Sequence, residues 1–146
     1  MEKRVNINGK EPLAFKAMYA LEGYLASGQL SKTLKELIKI RASQINGCAY
    51  CIDMHTKDAL KNGETNQRIF LLNAWHETEL FTPEERAVLA MTEEITLISQ
   101  GGLSDKSYQN ALKFFTENQI AQIIMAIVTI NAWNRIAIST NLQIGE

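Results

Sequence analysis

An all-α fold is what this sequence predicts, on three observations. Apolar residues recur at spacings of three and four over long stretches, the period of a helix with one buried face. No long alternating run rich in Val, Ile and Thr marks a strand. The two prolines, Pro12 and Pro83, both stand where a helix can begin and not inside one. With 146 residues, 46% of them hydrophobic, the chain has the size of one domain and enough apolar side chain for a core. The expectation is a single domain over residues 1–146, a bundle of about six to seven helices.

The elements follow in order. The first helix runs from about Pro12 to Ala26, and Gly28 ends it. Its Phe15, Met18, Tyr19 and Tyr24 read as core. The second begins after Ser31 and carries Leu34, Leu37, Ile38, Arg41 and Ile45 on one side; Asn46-Gly47 breaks it. The third starts near Cys48 and continues to Asn62, stopping at Gly63. The fourth spans about Asn66 to Trp75. The fifth has the clearest start: Thr82 caps, Pro83 takes the first helical position and Glu85 completes a capping box. It extends to Gly101-Gly102. The sixth follows Ser104. The seventh starts at Thr116, with Gln119 three residues on, and runs to about Ser139. Its stripe of Ile120, Ile123, Ile124, Ile127 and Ile130 is broad enough to pack centrally or against another subunit.

Charge and composition narrow the function. Fifteen Lys and Arg against sixteen Asp and Glu leave a net charge of −1, which gives no electrostatic reason to expect nucleic acid or an anionic membrane as partner. The first residues lack the apolar core of a secretory signal. The longest strongly apolar run, Ile123 to Val128, is too short to cross a bilayer. A cytoplasmic location is the expectation. Two cysteines, three residues apart, are too few and too close for a disulfide scaffold, and such a pair in a reducing compartment points to redox chemistry or metal.

The segment from Glu36 to His55 carries the chemistry. Cys48, Cys51 and His55 are spaced three and four apart and share one helix face. Cys48 falls at a first turn, where free N–H groups and the helix dipole favour a thiolate. Folding the second helix back on the third about Asn46-Gly47 brings Glu36 and His55 to similar heights, roughly 12–15 Å from the turn at ~1.5 Å rise per residue. A carboxylate there orients the imidazole, and the imidazole lies one turn from Cys51. A nucleophile, a base and an orienting group make the pattern of an activated cysteine. The two arguments favour different sulfurs: the dipole favours Cys48, and proximity to the base favours Cys51.

Glu36, eleven residues, Cys48, two residues, Cys51, three residues and His55 resemble the core of the alkylhydroperoxidase AhpD-like family, within the carboxymuconolactone decarboxylase-like superfamily. Looser likeness extends to Phe81–Arg86 and Ile130–Arg135. The resemblance implies an AhpD-like all-α fold and homo-oligomers, as dimers, trimers or hexamers. It implies that Cys51 is the peroxide-attacking thiolate, Cys48 the resolving partner, and His55 and Glu36 members of a proton relay. The implied substrate is a small-molecule hydroperoxide, and the implied reductant an external dithiol, which in the family can be a lipoyl group; no cofactor or metal is expected. One position departs: Tyr50 stands where the best-known peroxidase members carry a second histidine. Superfamily members that decarboxylate a lactone lack the Cys pair, so its presence argues against that reaction.

Two other readings remain open. The pair can serve a dithiol oxidoreductase or redox sensor without strong peroxidase activity, which the Tyr50 position favours. By ligand type, Cys48, Cys51, His55 and Glu36 also make a tetrahedral zinc set, although three ligands on one helix surround an ion poorly. His76 reads as a surface or helix-end residue. Tyr50 reads as a pocket wall or proton donor. Asn131, Trp133, Asn134 and Arg135 read as packing and capping residues that border a pocket or interface.

Overall fold

The computed structural model describes residues 2–145, and among them all regular structure is helical. Eight α-helices follow one another: α1 (Ile7–Lys10), α2 (Pro12–Ser27), α3 (Lys32–Asn46), α4 (Ala49–Lys61), α5 (Asn66–Leu71), α6 (Pro83–Thr96), α7 (Asp105–Ala111) and α8 (Glu117–Thr140). The single turn α1 is the element that periodicity missed, because four residues are shorter than any repeat that pattern can register.

The capping chemistry legible in the sequence holds. Thr82 Oγ1 accepts from the Glu85 N–H and the Glu85 carboxylate accepts from the Thr82 N–H, closing the box at α6. Thr116 and Gln119 do the same at α8. Ser31, Thr65 and Ser104 cap α3, α5 and α7 with their hydroxyls.

Three details differ from the periodic reading. The fourth predicted helix is α-helical only to Leu71; Leu72–Glu77 winds into a 3₁₀ turn kinked at Ala74. Arg86 draws the carbonyls of Trp75 and Thr78 outward by hydrogen bonds of 2.9 and 2.8 Å, and these replace the helical ladder. The α6 helix stops at Thr96, and a second 3₁₀ turn, Ile98–Gln100, reaches the positive-φ Gly101 and Gly102. Gly28 ends α2 with an extended backbone, so a left-handed cap is not its reason. A Cβ there would meet Gln122 Oε1 at 2.8 Å, the oxygen that accepts from the Gln29 N–H.

Helix α3 is the centre of the bundle, packed on α4, α6 and α8. One core lies between α3, α6 and α8, built from Ile38, Ala42, Val88, Met91, Ile123, Ile127 and Ile130. A second joins α3 and α4 to the α5–α6 segment through Leu37, Ile40, Leu72, Trp75, Phe81 and Leu89. The isoleucine stripe of α8 thus packs centrally. By length and composition α8 alone would reach across a bilayer, beyond what the Ile123–Val128 run suggested. Its packing on α2, α3, α4 and α6 makes it a core helix here, and buried Asn131 and Asn134 interrupt its apolar face.

The expectation for α2 was wrong. Leu25 is its one buried residue; Tyr19 is 60% exposed, Tyr24 is exposed, and Phe15 and Met18 are only half-buried. Helix α2 lies over α8 as a roof, and its apolar side chains cover the site described next instead of filling a core.

Candidate functional site: a buried dithiol beside an apolar cavity

The α3–α4 turn positions the sulfurs. Gly47 sits in the left-handed region at φ 71°, where a side chain costs about 1–2 kcal/mol. That conformation sends the Cys48 N–H back to the Ser43 carbonyl at 3.0 Å, closing α3, and leaves Cys48 as the N-cap of α4. Cys48 Sγ then accepts from the Cys51 N–H at 3.4 Å. Both cysteines are free thiols and both are buried.

The two sulfurs share a proton unequally. A hydrogen bond from the Cys51 thiol to Cys48 outweighs burial, and with the Cys51 N–H and Asn134 it lowers Cys48 to about 7. The same bond, burial and the neighbouring charge raise Cys51 well above the ordinary thiol range. Above about pH 7 the pair holds one negative charge, mainly on Cys48, and one proton, on Cys51.

Asn134 is the residue that sequence reasoning placed least well. It is fully buried, donates to Ser43 Oγ at 2.9 Å and accepts from Asn46 Nδ2 at 2.8 Å, and its amide favours the charged form of both sulfurs. Asn46 donates as well to Asn131, which donates to Thr96. The available signal was an asparagine pair, three apart, breaking an isoleucine stripe. Asn134→Leu keeps the volume, removes the sulfur donor and strands Ser43. The expected results are a loss of about 1–3 kcal/mol in urea unfolding and a Cys48 titration midpoint displaced above the native value.

The α3–α4 hairpin brings Glu36 and His55 together, as the heights along the two helices required. Glu36 Oε2 and His55 Nδ1 are 3.2 Å apart. The approach has ion-pair distance but lies off the line of a hydrogen bond, and neither buried atom has another hydrogen-bond partner. Lys39 Nζ stands 3.6 Å from the other Glu36 oxygen and 3.9 Å from Glu22. Burial pushes the Glu36 carboxyl up, but the His55 contact and Lys39 together outweigh it and hold the group below its usual value. Glu36 is thus ionised at neutral pH, facing the imidazole. Among the described residues no three His, Cys, Asp or Glu side chains converge as a ligand shell, so the four do not form the zinc arrangement considered from sequence.

Beside the dithiol lies a cavity of about 290 Å³. Cys51 and His55 border it; Cys48 does not. Tyr50 is a wall of it, and the rest is mostly apolar and aromatic. Phe15 meets Trp133 edge-on there and Tyr19 meets it at a tilt, with Phe15 and Tyr19 centroids 5.5 and 5.7 Å from that of Trp133. Trp133 is tied by its Nε1–H to Glu22 at 3.0 Å. Arg135 instead turns back onto Asn131, and His76 is exposed, stacked on Trp75 and 3.2 Å from Glu93. Those two take no part in the site.

An all-α bundle with a buried Cys-x-x-Cys at a helix start and a Glu–His pair beside it defines an AhpD-like protein. Residues 12–94, from α2 through most of α6, match the carboxymuconolactone decarboxylase family, and the chain belongs to it. It is 45% identical over 139 residues to the uncharacterized protein YdfG of Bacillus subtilis, covering 95% of each chain. A protein of unknown function from Agrobacterium tumefaciens, described as a candidate antioxidant defence protein AhpD, superposes with a TM-score of 0.95. It shares 39% identity over 99% of both chains. A peroxidase-related protein from Ralstonia eutropha with an alkylhydroperoxidase AhpD core superposes at 0.83 with 19% identity, over 95% of this chain and 74% of that one. At that identity the likeness is one of fold.

Proposed function

We propose that the protein is a thiol-dependent peroxidase that reduces organic hydroperoxides through a Cys48–Cys51 dithiol–disulfide cycle. The observation that carries this reading is the split between the sulfurs: Cys48 holds the charge, while Cys51 holds the cavity wall.

In the proposed cycle the shared proton first moves from Cys51 to Cys48 along the bond between them. Charge is transferred in this step and none is created. The Cys51 thiolate attacks the distal peroxide oxygen, the O–O bond breaks, and the products are a Cys51 sulfenic acid and an alkoxide. His55, protonated against the Glu36 carboxylate, gives its proton to the alkoxide. Cys48 passes the shared proton to His55 as its sulfur attacks Cys51, and His55 hands it on to the departing hydroxide, which leaves as water. Two electrons pass from the dithiol to the peroxide, and an external dithiol, of lipoyl type by family likeness, reduces the disulfide. The hydrogen bond between the sulfurs thus offers Cys51 a route for its proton other than direct removal by His55. The Cys pair also favours redox chemistry over lactone decarboxylation. The exposed apolar side of α2, where Leu13 is 75% exposed, supports assembly into a homo-oligomer.

Product stoichiometry tests the activity. Reduced protein mixed with cumene hydroperoxide should form one cumyl alcohol for every two thiols lost; alcohol formation without thiol loss would reject the cycle. A thiolate titration by ultraviolet absorbance tests the charge assignment. Below the lowered Cys48 value the pair is neutral, and above it the pair is a monoanion. In wild type one thiolate should therefore appear with a midpoint of about 7 while Cys51 stays protonated well beyond that pH, and the midpoint at about 7 should be lost in Cys48→Ser.

A further inference from the structure

A second cavity, of about 480 Å³, adjoins the one beside Cys51. Phe15, Tyr50, Ile136 and Leu142 border both, so the two spaces meet along a shared apolar wall. The outer one runs under the N-terminal segment before α2 and over the end of α8. Among the described residues its charged lining side chains are Lys3 and Arg4, both cations. Arg4 Nη1 donates to the Ser139 carbonyl at 3.0 Å, which fixes the guanidinium at the carbonyl-rich end of α8. No salt bridge to a carboxylate engages Arg4 among the described residues. The inner cavity's own acid, Glu22, is already held by Trp133 and Lys39. The path from Cys51 outward is therefore apolar and aromatic first, and cationic last.

We propose that the paired cavities take an amphipathic monocarboxylate, with an acyl or aryl-alkyl body along the Phe15–Tyr50 wall and its carboxylate on Arg4. A guanidinium fork matches a carboxylate in two hydrogen bonds, and the combined space fits a drug-sized or short acyl ligand. Taken with the peroxidase reading, on which this last step rests, the substrate is the hydroperoxide of such an acid. It leaves as the hydroxy acid and water, while the two thiols become the disulfide.

Calorimetric titration of the reduced full chain with 6-phenylhexanoate and with its uncharged amide tests the ligand class without any peroxide. The acid should bind about threefold to tenfold more tightly than the amide, a span set by a partly exposed Arg–carboxylate pair. That preference should disappear in Arg4→Gln and shrink with added salt. Phe15→Ala should weaken both ligands together. Equal binding of acid and amide by wild type, or an acid preference that survives in Arg4→Gln, would overturn the proposal. Thiol loss with a hydroperoxide-bearing aryl acid and with cumene hydroperoxide is then followed separately. If neither oxidises the dithiol while the acid preference holds, the peroxidase reading fails and the ligand class stands.

Discussion

Cys51→Ser is expected to abolish hydroperoxide-dependent thiol oxidation, with a loss of roughly 10³-fold or more, as for other enzymes that lose their nucleophile. Cys51 is the sulfur that borders the cavity, and a serine hydroxyl has neither the acidity nor the polarisability to attack a peroxide. Cys48→Ser should give a different result. The attacking sulfur remains but loses its hydrogen-bonded proton acceptor, so oxidation slows and stops at a sulfenic acid on Cys51, trappable by dimedone and visible by mass spectrometry. The reverse pattern, with a sulfenic acid on Cys48 in Cys51→Ser, would exchange the two roles. Both variants bury a serine where a cysteine was, so thermal unfolding must show that each is folded.

The second large effect is expected at the imidazole. His55→Ala removes the group assigned to protonate the leaving alkoxide and to accept the Cys48 proton. The rate of thiol oxidation should fall by roughly 10²–10⁴-fold. Glu36→Gln keeps the shape beside His55 but removes the charge that faces Nδ1. Its loss should be smaller than that of His55→Ala, because the imidazole itself remains.

Much of this site was legible before any coordinates, because it is local. The Glu36 and His55 contact follows from counting residues on either side of one turn, and Gly47 makes the turn short enough for the count to hold. Capping boxes at Thr82 and Thr116 were equally local, since four consecutive residues contain both halves of each. What escaped was set at long range. Asn134 meets Ser43 and Asn46 across about ninety residues of sequence, and nothing near Asn134 advertises a sulfur. The aromatic residues of α2 show the same limit from the other side. Periodicity says that Phe15 and Tyr19 share a face with other apolar residues, and it does not distinguish a core from the wall of a cavity. Arg86, whose hydrogen bonds unwind the chain after Leu71, acts from the next helix and left no trace in the segment it reshapes.

The unequal sharing of one proton between two buried sulfurs joins these parts. The left-handed Gly47 places Cys48 at a helix start, α8 supplies Asn134, and α4 turns Cys51 toward the cavity. A free cysteine has none of these aids. The most direct test of the account is therefore stopped-flow measurement of thiol loss after mixing reduced wild-type protein with cumene hydroperoxide across a pH series. The account predicts loss of both thiols together, much faster than a free cysteine at the same pH, with a rate that rises as pH passes through about 7. Thiol loss no faster than that of free cysteine at every pH would contradict it and leave the dithiol to exchange chemistry with another oxidant.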